Sequence, residues 1–481
     1  MFKKTFITAA LLSACTLSAH AAGEAKNVIF FLGDGMGPTT VTAARIYKYG
    51  EDGKLKMETL ERTARIITYS NDAQTTDSAP SMSAYMTGVK MNNEVLSMTP
   101  DTRAYNSSNV AYVSGADSTC PASGNGSPVP TILEIAKSRG LAVGAVTTTR
   151  VTHATPAATY SHICHRDGEN AISAQMVPAG AGYNSALGTG LDVLMGGGLK
   201  HYLPNTTALV NATDCVAAKN CKGARTDGRD LTAELATQGY SVVTDKAGFD
   251  ALSSSTTKLV GLFTSSHMNF ELDRVPANEP SLSEMTLKAI DVLSKNTKGY
   301  FLMVEGGRID HALHNTNAKR ALEDTIAFDN ALQATLSKVD LSNTLIVVTA
   351  DHDHTMIING YGKRTGPTSA TNAGILGIVK NVVTGTPDND ADGVPYSNLG
   401  FGNGENRVAG ARNSVAALDE TTTSGNNYHQ EAAIRTGSGS ETHGGGDVML
   451  MATGAGAASK AFKGVMVNTS VFDLLKTAFG F

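Results

Sequence analysis

Three apolar runs lie far apart in this chain and end in the same way. Asn27–Gly37 reads NVIFFLGDGMG, Tyr300–His314 reads YFLMVEGGRIDHALH, and Thr344–His354 reads TLIVVTADHDH. Each begins as a continuous aliphatic and aromatic stretch, the pattern of a strand buried on both faces. Each stops abruptly at acidic or imidazole residues: Asp34 in the first, Glu305 in the second, Asp351 and His352 in the third. In open α/β sheets, ligands bind beyond the carboxyl ends of the strands. Three parallel strands of this kind therefore predict Asp34, Glu305 and Asp351/His352 at one edge of an α/β sheet. A single such strand end carries little information; three in one chain point to a site for several metal ions.

The middle run continues into Asp310 and His314, four residues apart, so one helical turn puts both on one face. A carboxylate and an imidazole at that spacing can grip one metal ion. In isolation the same pattern reads first as an exposed polar helix start. Further polar residues follow other apolar runs. Thr76-Asp77-Ser78-Ala79 precedes a helix expected over Ser81–Tyr85, where Ser78 either caps that helix or stands at its N-terminus as a nucleophile. Thr148–Pro156, with His153 and Thr155, follows a strand expected over Leu141–Thr147. Arg166 closes HICHR and would otherwise read as a surface arginine. His443 lies in a glycine loop, ETHGGG, before a strand expected over Asp447–Met451.

The rest of the chain fits a large α/β core. At 481 residues with 41% hydrophobic content it can bury one. Its net charge of −5 gives no electrostatic case for nucleic-acid binding. GDGMG is not a dinucleotide fingerprint, because the glycine spacing is wrong. Helices are expected over Thr39–Tyr47, Thr131–Arg139, Pro280–Ser294 (opened by a capping box from Ser281 to Glu284) and Ala318–Ser337. Further strands are expected over Ile66–Tyr69, Leu191–Met195 and Leu259–Phe263. Residues 102–130, rich in Ser, Asn and Gly, read as surface loop, and residues 360–440 as a loop-rich insertion that decorates the site mouth or an interface.

The N-terminus reads as an export signal over residues 1–21. Lys3-Lys4 leads into an apolar stretch, and Ala19-His20-Ala21 offers a small-residue cleavage site. It is too short for a spanning helix. Residues 22–481 then form a single catalytic domain, periplasmic or secreted. The rival reading takes Leu12-Ser13-Ala14-Cys15 as a lipoprotein box, with residues 1–14 removed and Cys15 as a lipid-anchored first residue. Besides Cys15 there are four cysteines, an even count that suggests disulfides in an exported chain. Cys215–Cys221 would close a small loop, and Cys120–Cys164 would tie a long one to the region before Arg166.

Taken together, GDGMG (33–37), TDSA (76–79), THATPAA (152–158), VEGGRIDHALH (304–314), TADHDH (349–354) and ETHGGGDV (441–448) make the chain resemble the alkaline phosphatases, in motif order as well as content. The resemblance implies a three-layer αβα sandwich around a large, mostly parallel sheet, with the site at the C-terminal strand ends. It implies two Zn2+ and one Mg2+ per chain. Asp310, His314 and His443 would hold the first zinc, and Asp34, Asp351 and His352 the second. Asp34, Thr155 and Glu305 would hold the magnesium. Ser78 matches the family nucleophile and Arg166 the arginine that clamps phosphate. The implied activity is hydrolysis of phosphate monoesters through a phosphoserine, with broad phosphate scavenging as its use and a homodimer as the assembly.

The chemistry of these residues agrees. Four carboxylates alone would repel phosphate, whereas divalent ions reverse the sign of the site and lower the pKa of a nearby hydroxyl. Arg166 can bind two phosphate oxygens with its planar fork. His153 and His311 depart from the best-studied bacterial branch and look like the animal enzymes. Both are expected behind the magnesium site, reaching metal-bound water or phosphate. Animal members also carry a calcium site near the segment matching residues 262–279; Thr264 replaces one acidic ligand there and Glu279 matches another, so no calcium site is expected. The competing readings are a phosphodiesterase or metal-dependent mutase on the same fold, and a non-catalytic exported binding protein with Ser78 idle.

Overall fold

The computed structural model describes residues 25–209, 221–414, 418–455 and 461–481. The export-signal and lipoprotein readings, Cys15 and Cys215 fall outside these residues. Ten strands form the central sheet: β1 (Asn27–Gly33), β2 (Arg62–Ile67), β3 (Ala142–Arg150), β4 (Val193–Gly197), β5 (Ser241–Val243), β6 (Leu259–Leu262), β7 (Tyr300–Gly306), β8 (Thr344–Ala350), β9 (Val448–Gly454) and β10 (Gly464–Val467). Their spatial order is β10-β2-β9-β8-β1-β7-β3-β4-β6-β5. All neighbours are parallel except β9, which runs antiparallel to both β2 and β8. The large α/β sheet expected from the sequence is thus present.

The three diagnostic runs are adjacent strands at the sheet centre. Gly33 of β1 is in register with Gly306 of β7 and Ala350 of β8. This register brings Asp34, Glu305 and Asp351 to the same edge. Every residue of β7 and β8 is buried, as their unbroken apolar patterns require. Helices cover both faces. Pro38–Tyr49, Leu282–Leu293 and Ala318–Lys338 pack together on one, and Ser78–Thr87, Ile132–Ser138, Ala154–Tyr160 and Asn468–Phe479 on the other.

Local signals set several boundaries. Capping boxes open the Ile132–Ser138 helix from Thr131 and Glu134, and the Leu282–Leu293 helix from Ser281 and Glu284. Other expectations are corrected. The strand expected at Ile66–Tyr69 is Arg62–Ile67, because its polar N-terminal half pairs with β9. The strand expected over Leu191–Met195 is Val193–Gly197, so Gly196 and Gly197 continue β4 and the chain turns at Gly198, whose φ is +98°. The insertion at 360–440 is more ordered than a loop. Leu399–Gly404 and Ala432–Arg435 join Met356–Ile358 in a small sheet, and Ile375, Leu376 and Val379 are buried. No helix among the described residues is long and apolar enough to cross a membrane.

Candidate metal centre

The site begins with the turn behind Asp34. Gly35 adopts φ +65°, and a Cβ there would lie 2.4 Å from His354 Cδ2, so the chain turns this sharply only with glycine. Gly35 N–H donates to Asp351 Oδ1 at 3.0 Å, which joins the ends of β1 and β8. Asp34, Asp351 and His352 form one group of converging metal-ligand atoms, and Asp310, His314, His354 and His443 form another. A third contains Asp34, His153 and Glu305. Each expected metal ligand therefore falls in one of these groups except Thr155, whose Oγ1 donates to Asp34 Oδ2 at 3.4 Å.

His443 joins from across the sequence because His443–Gly444 pairs antiparallel with Asp353–His354. The three imidazoles expected as ligands are held by their Nδ1 atoms. His314 Nδ1 donates to Glu441 O at 2.6 Å, His443 Nδ1 to Thr76 O at 2.9 Å, and His352 Nδ1 to Asp353 O at 3.2 Å. Donation from Nδ1 leaves the Nε2 lone pair aimed inward, the tautomer a metal needs. Burial holds all three rings below the usual imidazole pKa, so they stay neutral.

The carboxylates show the opposite pressure. Burial, then the charges of Asp310 and Glu305, push Asp34 well above the carboxylate range. Burial pushes Glu305 up to about 7; burial and then Asp34 push Asp351 up to about 7. Glu305 Oε1 and Asp351 Oδ2 are buried without a hydrogen-bond partner. Buried carboxylate oxygens with no donor, facing neutral imidazoles, are the donor set of divalent cations, so these residues fit zinc and magnesium.

His354 is a residue that sequence reasoning quoted in its motif but gave no role. Nδ1 donates to Glu441 Oε2 at 2.5 Å and Nε2 to Asp310 Oδ1 at 2.8 Å. Burial alone would lower its pKa, but Glu441 and Asp310 outweigh it and raise it to about 10. With both nitrogens within hydrogen-bond distance of carboxylates, His354 is placed to orient Asp310.

Ser78 is the first residue of its helix, not a cap three residues ahead of it. Asp77 is the N-cap and accepts from Ala79 N–H at 2.7 Å. This leaves the buried Ser78 Oγ 3.3 Å from Asp34 Oδ1 and 3.2 Å from His352 Nε2. Arg166 donates to Asp77 Oδ1 from Nη1 at 3.1 Å and to His153 Nε2 from Nη2 at 2.9 Å. His153 and His311 lie side by side, ring centroids 5.3 Å apart, with His267 against both. His267 was not anticipated: it is a lone histidine in SSHMNF with no spacing signal. The Cys120–Cys164 disulfide forms, two residues before Arg166. Thr264 Oγ1 donates to Ser266 O at 2.8 Å, and Glu279 accepts from Asn269 N at 3.1 Å. Residues 405–407 and 427–429 line a cleft of about 590 Å³ beside His314.

A family model described as alkaline phosphatase matches residues 25–481. Among curated proteins, the alkaline phosphatase of Gadus morhua is 37% identical over 464 residues, covering 92% of this chain and 89% of its own. The Thermus thermophilus alkaline phosphatase structure has a TM-score of 0.64 and 26% identity, covering 98% of this chain and 96% of its own. A mutant of the alkaline phosphatase from the Antarctic bacterium TAB5, described with Mg bound in its M3 site, has a TM-score of 0.63 at 22% identity, covering 96% of this chain and 99% of its own.

Proposed function

Because this chain belongs to the alkaline phosphatase family, we propose that its phosphomonoesterase activity runs through a phosphoserine at Ser78. The observation that carries this reading is the position of Ser78 Oγ, buried against Asp34 Oδ1 and His352 Nε2 rather than spent on capping its helix. Asp310, His314 and His443 would hold one zinc and Asp34, Asp351 and His352 the other. Asp34, Thr155 and Glu305 would hold magnesium, with His153 beside them. When bound, these ions supply positive charge for the phosphate dianion and stabilise attacking and leaving oxygens.

The chain's own groups do the rest. Ser78 Oγ passes its proton to solvent and attacks phosphorus in line with the ester bond; that bond breaks, and the departing oxygen takes a proton from water to leave as the alcohol. The Asp310 group meets the Asp34 group where the His443 and His352 rings stack, centroids 3.5 Å apart, and would flank the leaving oxygen. Arg166 turns Nη2 from His153 to a phosphate oxygen while Nη1 stays on Asp77, so one anchor holds the clamp before and after binding. Water then attacks phosphorus from the vacated side, cleaves the Ser78 O–P bond and restores the hydroxyl.

The wider setting follows the same reading: one catalytic domain over residues 22–481, exported to the periplasm or medium, acting broadly on phosphate monoesters. A homodimer belongs to the same reading, as the resemblance implies. The test is to quench the enzyme with phosphate at acidic pH and map the phosphorylated peptide. A phosphate on Ser78 supports the reading; an unlabelled Ser78 under turnover conditions, with label elsewhere, refutes it.

A further inference from the structure

The cleft beside His314 joins two parts of the chain. His314 comes from the end of the Arg308–His314 helix, whereas Glu405, Arg407 and Arg435 come from the insertion. Hydrogen bonds to the main chain hold the two parts together. His429 Nδ1 donates to Asn315 O at 2.5 Å, Gln430 N–H to Thr316 O at 2.9 Å, and Glu441 N–H to His314 O at 2.9 Å. The strand Ala432–Arg435 pairs parallel with Leu399–Gly404, which puts Arg435 in register with Gly404. The cleft is thus built into the fold, and about 590 Å³ is room for a small-molecule group.

The lining decides what kind of group. None of the described residues that line the cleft carries an aliphatic side chain, so it offers little to a hydrocarbon. Two guanidinium groups, Arg407 and Arg435, outnumber one carboxylate, Glu405. Arg407 is committed to the insertion itself: Nε donates to Ala433 O at 2.6 Å and Nη1 to Val408 O at 2.7 Å. Arg435 is exposed and joins no ion pair among the described residues. A guanidinium so placed presents a planar fork of donors that matches a carboxylate or a phosphate.

The position of the cleft says which part of a substrate it meets. His314 belongs to the Asp310 group, which flanks the leaving oxygen when Ser78 attacks from the Asp34 group. A cleft that starts at His314 therefore receives what the leaving oxygen carries. We infer that it is the subsite for the alcohol part of the substrate, and that Arg435 selects alcohols bearing a second anionic group, a carboxylate or a further phosphate. The inference rests on the phosphoserine reading and narrows its substrate class.

The test uses two esters of one shape, para-carboxyphenyl phosphate and para-carbamoylphenyl phosphate, which differ in charge across the ring from the ester bond. The readout is the ratio of their kcat/KM values within each metal-loaded preparation, so the folded fraction cancels. Wild type is expected to favour the carboxylate. Arg435→Gln is expected to lower the ratio roughly three- to tenfold, between the worth of an exposed ion pair and that of a charge-assisted hydrogen bond. Arg435→Glu is expected to lower it further. The change should fall on KM, because the contact is the same in bound substrate and transition state. It should also shrink in about 1 M salt. An equal ratio in wild type and both variants would overturn the inference, as would a wild type that favours the amide. Either result, with both esters turned over, leaves the phosphoserine reading standing. Turnover of neither ester would overturn both.

Discussion

His354 donates to Asp310 Oδ1 across 2.8 Å and so ties the end of β8 to the helix after β7. The same ring holds Glu441 through Nδ1, and both carboxylates are buried. Replacing His354 with Ala removes the ring between them. Breaking a buried pair in this way costs about 3–5 kcal/mol, and losing the group that orients a ligand lowers metal affinity roughly 10–100-fold. Zinc retention against a graded chelator, with a thermal melt on the same samples, measures both. A variant that binds zinc as tightly as wild type contradicts the role given to His354.

Arg166 has the most exposed task, since it must leave His153 to meet substrate. Arg166→Ala removes charge-assisted hydrogen bonds worth about 1.5–3 kcal/mol, so kcat/KM for an aryl monophosphate is expected to fall roughly 10- to 150-fold. The clamp fits a terminal phosphate, so wild type is expected to turn over mono-aryl phosphate faster than bis-aryl phosphate. The reverse order favours a diesterase.

The metal-free protein should respond to pH in an unusual direction. Glu305 and Asp351 each rise to about 7 from ordinary values of 4.5 and 3.8. The folded state then binds protons that the unfolded state has already released. Their contribution is fully present below the unfolded values and is lost as pH climbs through about 7. Chelator-stripped protein is expected to melt at a lower temperature at pH 8 than at pH 5, and the metal-loaded protein to lose that decline. Differential scanning fluorimetry across this range checks it; a stripped protein that gains stability from pH 5 to pH 8 contradicts it.

Cys120–Cys164 spans a sequence separation of 44 and holds the segment that presents Arg166. In the chain-entropy account a loop of that length is worth about 4 kcal/mol. The double Ser variant is expected to unfold at lower denaturant and to bind phosphate more weakly. Urea melts and phosphate inhibition test the two effects separately.

Much of this site was readable from the chain because its ligands sit at strand ends, where an apolar run stops at a charged residue. Asp34, Glu305 and Asp351 are legible for that reason, and Asp310 with His314 through helical spacing. His443 and Arg166 became meaningful only through the resemblance, since no local pattern marks them. His267 escaped because its place beside His153 and His311 arises from the order of the strands in the sheet, which a linear reading does not contain. The start of the helix at Ser78 escaped because Asp77 and Ser78 are equally good caps by residue type. The sheet within residues 360–440 was hidden by its glycines: Leu399–Gly404 reads LGFGNG, with too few side chains to show alternation.

The central claim is that Ser78 is the nucleophile of a metal-loaded site. Its most direct test is p-nitrophenyl phosphate hydrolysis by wild type and Ser78→Ala, with zinc and magnesium determined on the same samples. The account predicts that metal-replete wild type is active at alkaline pH, while Ser78→Ala retains its metals and loses activity by roughly a thousandfold or more. A fully loaded Ser78→Ala as active as wild type would contradict it and move the nucleophile to water.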